Sequence, residues 1–507
     1  MAGTQEEPLT MEKFSFDYEY DPAYIPSHPD PVPAAVDASD VSSPPPYPGN
    51  NPPPGYQAAI SNSQAIPAIT FCDIYPRCLI PGYSGQHPEF EKFDAVIQAA
   101  NDWLRQNPWL RVVSCETVDR RCSMRGDVDT VTSHRHQPSN GEHSFIRILR
   151  LWLTINTSEG SAPQQLGYEN LIPQTRTTEE DEEVGNEFPS HVMACPSGML
   201  MMGRMYGMRG GLGMLMKVQR YQTMMQVIDV FNKKVQAEPL PGGIISIESV
   251  DIKKSESFES VTPDLESCYW YQRNHTSKHF LSSIRVYYII GKTCTQQIDV
   301  TSFPPANLSK RGSSYQSGGT KYEKFGSLLE RTSRWINSQN SVQLLNLQSP
   351  LIRYSSNDST GLMPDSVDTE TTNTIEFPTS QTNYLRIIRV FSLQSQEQSV
   401  RDIVTSKVFF PVNVAKRYET VQEVLQKAIQ WIGAAGMQNR IVGAETFEMP
   451  VSSLGSPPNV GATKVKLQRT RGNHWITCFR LYFEGQYIEP DVPKQPNQKK
   501  SSMCCVL

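Results

Sequence analysis

One pattern, written four times, constrains this chain more than anything else in it. Aligned on the aromatics Phe90, Tyr221, Tyr322 and Tyr418, a tryptophan stands 13 residues on in three copies, at Trp103, Trp335 and Trp431. Lys234 takes that place in the second copy. Each copy continues into a short apolar run ending in Glu116-Thr117, Glu248-Ser249, Gln348-Ser349 or Glu445-Thr446. Further on comes a strand-like run in which Arg precedes Leu or Val and then an aromatic. These triplets are Arg150-Leu151-Trp152, Arg285-Val286-Tyr287, Arg389-Val390-Phe391 and Arg480-Leu481-Tyr482.

The first half of each copy has helical periodicity. In copy four Tyr418, Val421, Leu425, Ala428 and Ile432 fall on one stripe, the spacing of an amphipathic helix packed on a core. In copy one Pro88 occupies a plausible first helical position, with Glu89 and Glu91 in the first turn, where acidic side chains suit the helix dipole. The tryptophans should pack helix onto sheet. The apolar runs that follow are short and rich in Val and Ile, as strands are. Runs such as "AITFCDIYPRCLI" and "SKVFFPVNVA" precede some of the helices. The pattern therefore predicts an α+β chain of four tandem, small strand-helix-strand-strand repeat domains, each with one helix packed on a β-sheet. Successive starts lie roughly 100–130 residues apart, enough for small complete domains.

Composition sets the boundaries. Residues 1–65 are proline-rich and poor in aliphatics, so they cannot bury enough apolar surface to offset chain entropy and should be disordered. The expected organisation is a tail at 1–65, repeat domain 1 at 66–157, an acidic linker at 158–190, repeat domain 2 at 191–300 with a Met/Gly-rich entry, repeat domain 3 at 301–395, repeat domain 4 at 396–488, and a short polar tail at 489–507. The net charge of −5 gives no reason to expect nucleic acid. No apolar run reaches the about 18–20 residues of a spanning helix. The polar, acidic start "MAGTQEEPLT" does not read as a secretory signal. The ten cysteines are scattered, as buried reduced thiols are. There is no G-x-S-x-G, P-loop, H-E-x-x-H or G-x-G-x-x-G, and no paired cysteine motif for zinc. No catalytic residue, cofactor or metal is expected. His143, His279 and His474 each precede the last strand of a copy and read as structural. "YENL" at Tyr168 has the form of a sorting signal, and "GMLMMGRMYGMRGGLGMLM" reads as an adaptable contact segment.

The sharper signals lie near the two ends. "PPPY" (Pro44, Pro45, Pro46, Tyr47) and "PPGY" (Pro53, Pro54, Gly55, Tyr56) resemble tandem PPxY ligands of WW domains. Prolines preform a polyproline II strand that fits an aromatic groove, and two copies raise the effective concentration for a tandem partner. The resemblance implies WW-domain proteins as partners, HECT-type ubiquitin ligases among them. "CCVL" at Cys504 to Leu507 resembles a CaaX prenylation box, with the final leucine implying a geranylgeranyl group on Cys504 and a prenyltransferase as modifying partner. CCxx endings are also similar to those of Rab GTPases, but no GTPase motif accompanies this one. Lys494, Lys499 and Lys500 would add attraction to an anionic leaflet, about 1 kcal/mol each. The helix-on-sheet pattern with a lipid anchor resembles raftlin-type membrane proteins. The function expected is a non-enzymatic, lipid-anchored adaptor on the cytoplasmic face of a membrane. The alternative is a membrane scaffold that self-associates through its repeats.

Overall fold

The computed structural model describes residues 69–83, 85–137, 142–156, 162–176, 220–254, 264–273, 278–308, 321–339, 342–354, 367–376, 382–394, 402–414, 417–436, 441–451, 458–467 and 473–490. All of them lie within one compact unit, Asn50–Leu507. Among the described residues the architecture is α+β, with four helices and many antiparallel strands in several small sheets. The first segment runs β1 (Thr70–Ile74), β2 (Cys78–Ile80), β3 (Glu89–Phe90), α1 (Phe93–Gln106), β4 (Leu110–Cys122), β5 (His134–Gln137) and β6 (Glu142–Ile155). The second runs β7 (Leu166–Leu171), α2 (Met224–Ala237), β8 (Leu240–Lys253), β9 (Tyr269–Arg273) and β10 (Lys278–Cys294). The third runs β11 (Ile298–Phe303), α3 (Phe325–Ser338), β12 (Val342–Gln348), β13 (Leu351–Tyr354), β14 (Asn373–Glu376), β15 (Thr382–Arg386) and β16 (Ile388–Gln394). The fourth runs β17 (Val404–Phe409), β18 (Asn413–Val414), β19 (Arg417–Tyr418), α4 (Val421–Ala435), β20 (Ile441–Val451), β21 (Lys464–Leu467) and β22 (Asn473–Glu484).

One sheet order recurs in all four. The strand before the helix and the strand after it flank the last strand: β1-β6-β4, β7-β10-β8, β11-β16-β12 and β17-β22-β20. All these pairs are antiparallel. The last strand, or in the third segment β15 just before it, then accepts a strand from the next segment: β9 on β6, β14 on β10 and β21 on β15. The fourth such pairing closes the circle, because β22 takes β5 from the first segment.

Backbone bonds repeat the circle at the helix starts. The first N–H of a helix has no partner within it. Here each such group donates to a carbonyl of the next segment: Phe93 to Glu266, Met224 to Glu370, Phe325 to Gly461, and Val421 to Val131, at 2.9–3.1 Å. Only α2 and α4 add side-chain capping boxes, from Thr223 with Gln226 and Thr420 with Glu423.

β4, β8, β12 and β20 contact one another in turn, each at its free edge. An open edge strand carries unsatisfied N–H groups. They are satisfied by side chains of the next segment. Thr117 N donates to Glu248 (2.7 Å), Ser249 N to Gln348 (2.9 Å), Ser349 N to Glu445 (2.6 Å) and Thr446 N to Glu116 (2.8 Å). Each acceptor stands three residues after a bulge, at Val113, Ile245, Leu345 and Val442, and faces the arginine of the last strand, while the residue just after the bulge faces its aromatic. That aromatic supplies a second donor where it can: Trp152 Nε1 to Glu116 (3.0 Å), Tyr287 OH to Glu248 (2.8 Å) and Tyr482 OH to Glu445 (2.9 Å). Phe391 cannot donate, and its partner is Gln348, whose Oε1 accepts both the N–H and the hydroxyl of Ser249. Carboxyl acceptor goes with donor aromatic; amide acceptor goes with phenylalanine.

Several details differ from the sequence reading. α1 begins at Phe93, not at Pro88, and Asp94 is the acidic residue of its first turn; the stretch before it is taken up by β3. Leu166–Leu171, inside the stretch that reads as a linker, is an edge strand paired with β10. Its Tyr168 is held by a bond to Glu266 (2.7 Å) and an edge contact with Phe93, so "YENL" is not a free peptide. Trp431 is buried against Phe409 and Phe483, and Trp335 packs on Phe303, while Trp103 is half-buried. Lys234 pairs with Glu169 of β7 instead.

The matched acceptor and aromatic generate a prediction. Tyr287→Phe and Glu248→Gln should each destabilise by about 1–3 kcal/mol. The double variant, which recreates the Gln348–Phe391 pairing, should lose less than the sum by about 1 kcal/mol. Denaturant unfolding of the four proteins reads the coupling; strict additivity would sink the argument.

Candidate functional site: a charged cleft at the closing seam

The site grows out of the acceptor Glu116. Arg150 crosses beside it, fully buried, and forms a two-pronged pair with Asp73 at 2.6 and 2.5 Å. Its remaining arm donates to Thr446 of β20 (2.7 Å). A buried pair of this kind is sound only when its other groups are bonded, and here they are. Burial first, and the nearby Glu248 carboxyl in a smaller part, push the Glu116 carboxyl up to about 7, against the pull of Arg150 and the Thr446 bonds.

Two repeats of the pleat further along β4 stands Arg120, and there the chain opens into a cleft of about 390 Å³. Its walls come from β4, β5, β6, β20 and β22, that is, from the first and fourth segments where the circle closes. Arg135 of β5 is committed to Glu448 of β20, with Nε to Oε1 at 2.8 Å, and its guanidinium lies over Phe145 and Trp475. Arg121, exposed at the mouth, donates to the His136 carbonyl (3.1 Å). Asp129 accepts from the N–H groups of Val131 and Thr132. Asp119 accepts from Trp270 (3.2 Å) and lies 3.6 Å from Arg147.

Three imidazoles gather on the same seam. His134 Nε2 and His474 Nδ1 are 3.1 Å apart, His136 stacks on His474, and Tyr418 stacks on His134. Burial, and then the neighbouring imidazoles, hold His134 and His474 below the ordinary histidine range. Among the described residues no group of histidines, cysteines and carboxylates is arranged to hold a metal ion. The buried thiols of Cys268 and Cys478 are pushed up to about 12 by burial, which keeps them protonated and so poor nucleophiles.

The residues expected from sequence lie elsewhere. Pro44, Pro45, Tyr47, Pro53, Pro54, Tyr56, Lys494, Lys499, Lys500 and Cys504, and the Met/Gly-rich run before α2, are outside the described residues. Of the three histidines singled out, His143 is buried in β6 and His279 is half-buried in β10; only His474 reaches the cleft's seam. His134 and His136 are visible as an i, i+2 pair in "SHRHQ", which a strand puts on one face. No family model matches this chain, and no curated protein or solved structure gives a significant match.

Glu116 makes the fold sensitive to pH. A carboxyl raised to about 7 in the folded state binds its proton more tightly there than in the unfolded chain. Its contribution is therefore fully present below its ordinary range near ~4.5 and lost as pH rises through ~7, worth about 3 kcal/mol in all. Glu116→Gln, the side chain that the third segment already carries at Gln348, should flatten this slope. Between pH 5 and pH 8 the unfolding free energy should fall more steeply for the parent than for the variant; parallel values would refute the assignment.

Proposed function

We propose that this chain is a non-enzymatic, lipid-anchored adaptor at the cytoplasmic face of a membrane, with four tandem copies of one helix-on-sheet repeat closed into a circle. Cys504 carries the geranylgeranyl group, Lys494, Lys499 and Lys500 add electrostatic attraction, and the two PPxY motifs recruit WW-domain proteins. One observation carries the reading furthest. Ile69, which leads in from the N-terminal stretch, and Tyr487, which leads out to the C-terminal one, pack in the same apolar cluster with Trp431 and Phe483. The two signalling stretches thus start from one place. From Ile69 back to Tyr56 the chain can span at most about 45 Å, and from Pro490 to Cys504 at most about 50 Å. A WW partner bound at Tyr56 would then be held close to the membrane that Cys504 enters. Among the described residues no helix is long and apolar enough to cross a membrane, and the lipid is asked to do the anchoring.

A single prenyl chain binds reversibly unless a second signal helps. The reading requires that Leu507 be the carboxyl end of the chain in the cell. Wild type should partition with membranes and Cys504→Ser should not, and the C-terminal peptide should end at a prenylated Cys504. Tyr47→Ala with Tyr56→Ala should abolish capture of a tandem WW domain without changing partitioning. Equal partitioning of wild type and Cys504→Ser, with an unmodified "CCVL" peptide, would remove the anchor. Concentration-dependent self-association of the membrane-bound protein would favour the scaffold alternative.

A further inference from the structure

The cleft at the closing seam contains a charge that the rest of the architecture does not call for. Arg120 stands four residues after the acceptor Glu116. The corresponding positions after Glu248, Gln348 and Glu445 are Ile252, Ile352 and Met449. Each faces the matching residue of its last strand: Ile146, Leu281, Leu385 and Ile476. Three segments fill this place with an apolar side chain, and the first fills it with a guanidinium only 5% exposed.

A buried charge is costly unless it is paired and hydrogen-bonded. Arg120 has no hydrogen-bonded partner, and Asp73, Tyr75, Glu448 and Asp129 act on it only at a distance. Its Nη2 is 3.8 Å from Asp73, whose two oxygens are taken by Arg150. Its Nε and Nη2 have no hydrogen-bond acceptor in the protein. Burial and the like charge of Arg150 disfavour its charged form. The guanidinium lines the cleft of about 390 Å³ together with Arg121, His134 and Thr477. The carboxylates facing the same space are Asp119, Asp129 and Glu448, and each already has the protein partners described above.

We propose that this cleft binds a phosphate-class oxyanion, with Arg120 as its buried anchor and Arg121 at its mouth. A phosphate group offers several acceptor oxygens to N–H donors set in a fork, which is the geometry an arginine recognises. The ligand is a phosphate monoester, either free in solution or as the headgroup of a lipid. The site lies at the His474 end of β22, about 30 Å along the strand from its Glu484 end.

The test uses the full chain. Thermal midpoints are measured in millimolar inorganic phosphate and in inositol trisphosphate, against chloride at equal ionic strength. The comparison variants are Arg120→Met, which places the residue of the fourth segment in the first, and Arg121→Met. Wild type should gain several degrees with phosphate, Arg121→Met should gain less, and Arg120→Met should gain nothing while folding at least as stably without ligand. A second arm measures binding of Cys504→Ser protein to phosphatidylcholine vesicles with and without a phosphoinositide. Saturation by soluble inositol trisphosphate with no vesicle binding assigns a free ester; Arg120-dependent vesicle binding assigns a headgroup. A phosphate response no greater than chloride, or an equal response in Arg120→Met, overturns the proposal. So does an Arg120→Met protein that is destabilised alike with and without phosphate, since Arg120 would then serve only as a partner for Asp73.

Discussion

Everything in this architecture depends on a carboxyl or amide oxygen reaching across a seam to accept a hydrogen bond from the backbone N–H of a neighbour's open edge. A three-stranded sheet with one helix is too small to hide both of its faces and its inner edge. The acceptors Glu116, Glu248, Gln348 and Glu445 satisfy that edge by side chain rather than by another strand. The arginine of the last strand then finishes the junction. Arg150, Arg285 and Arg480 each donate to the hydroxyl beside the captured N–H, at Thr446, Thr117 and Ser349. Two of them also stack over the first residue of the neighbouring helix, Arg285 on Phe93 at 3.6 Å and Arg480 on Phe325 at 3.7 Å. The polar network specifies who sits beside whom, and the apolar clusters around each helix supply the bulk of the burial.

The junctions are alike in plan and unequal in chemistry. The one joining segments two and three is neutral, with Gln348 and Phe391, and its Arg389 turns to Ser302 and the Thr369 carbonyl instead. The closing one is the most heavily charged, with Asp73, Glu116, Arg120, Arg135 and Glu448 crowded around it.

Much of this is legible in the residues. The Glu-Thr and Gln-Ser endings and the Arg-x-aromatic triplets stand out because each copy repeats the same seam, and the helices because their apolar stripes are regular. What the sequence hides is the way the segments interlock. β5, β9, β14 and β21 are short, come from polar loops, and pair with strands of another segment, so no local periodicity announces them. β7 escapes notice because "LGYENL" lacks clean alternation. Pro88 suggests too early a start for α1 because it looks like one end of a helix, while Lys92, the true boundary, offers no side-chain cap. The cleft is hidden for a different reason. Arg120 is ordinary when read along the chain and conspicuous only when read down the aligned copies, against Ile252, Ile352 and Met449.

The pairing of β5 with β22 has a consequence for how the protein is made. Its two strands lie about 340 residues apart, and at roughly 5–20 residues per second a ribosome needs on the order of 20–70 s to deliver the second after the first. Throughout that interval the nascent first segment carries β5 with no partner strand. The strand that waits reads His-Arg-His-Gln. Polar and charged side chains on a bare edge discourage it from recruiting the wrong strand, so the residues that line the seam in the finished protein also guard it while the polypeptide is still being born.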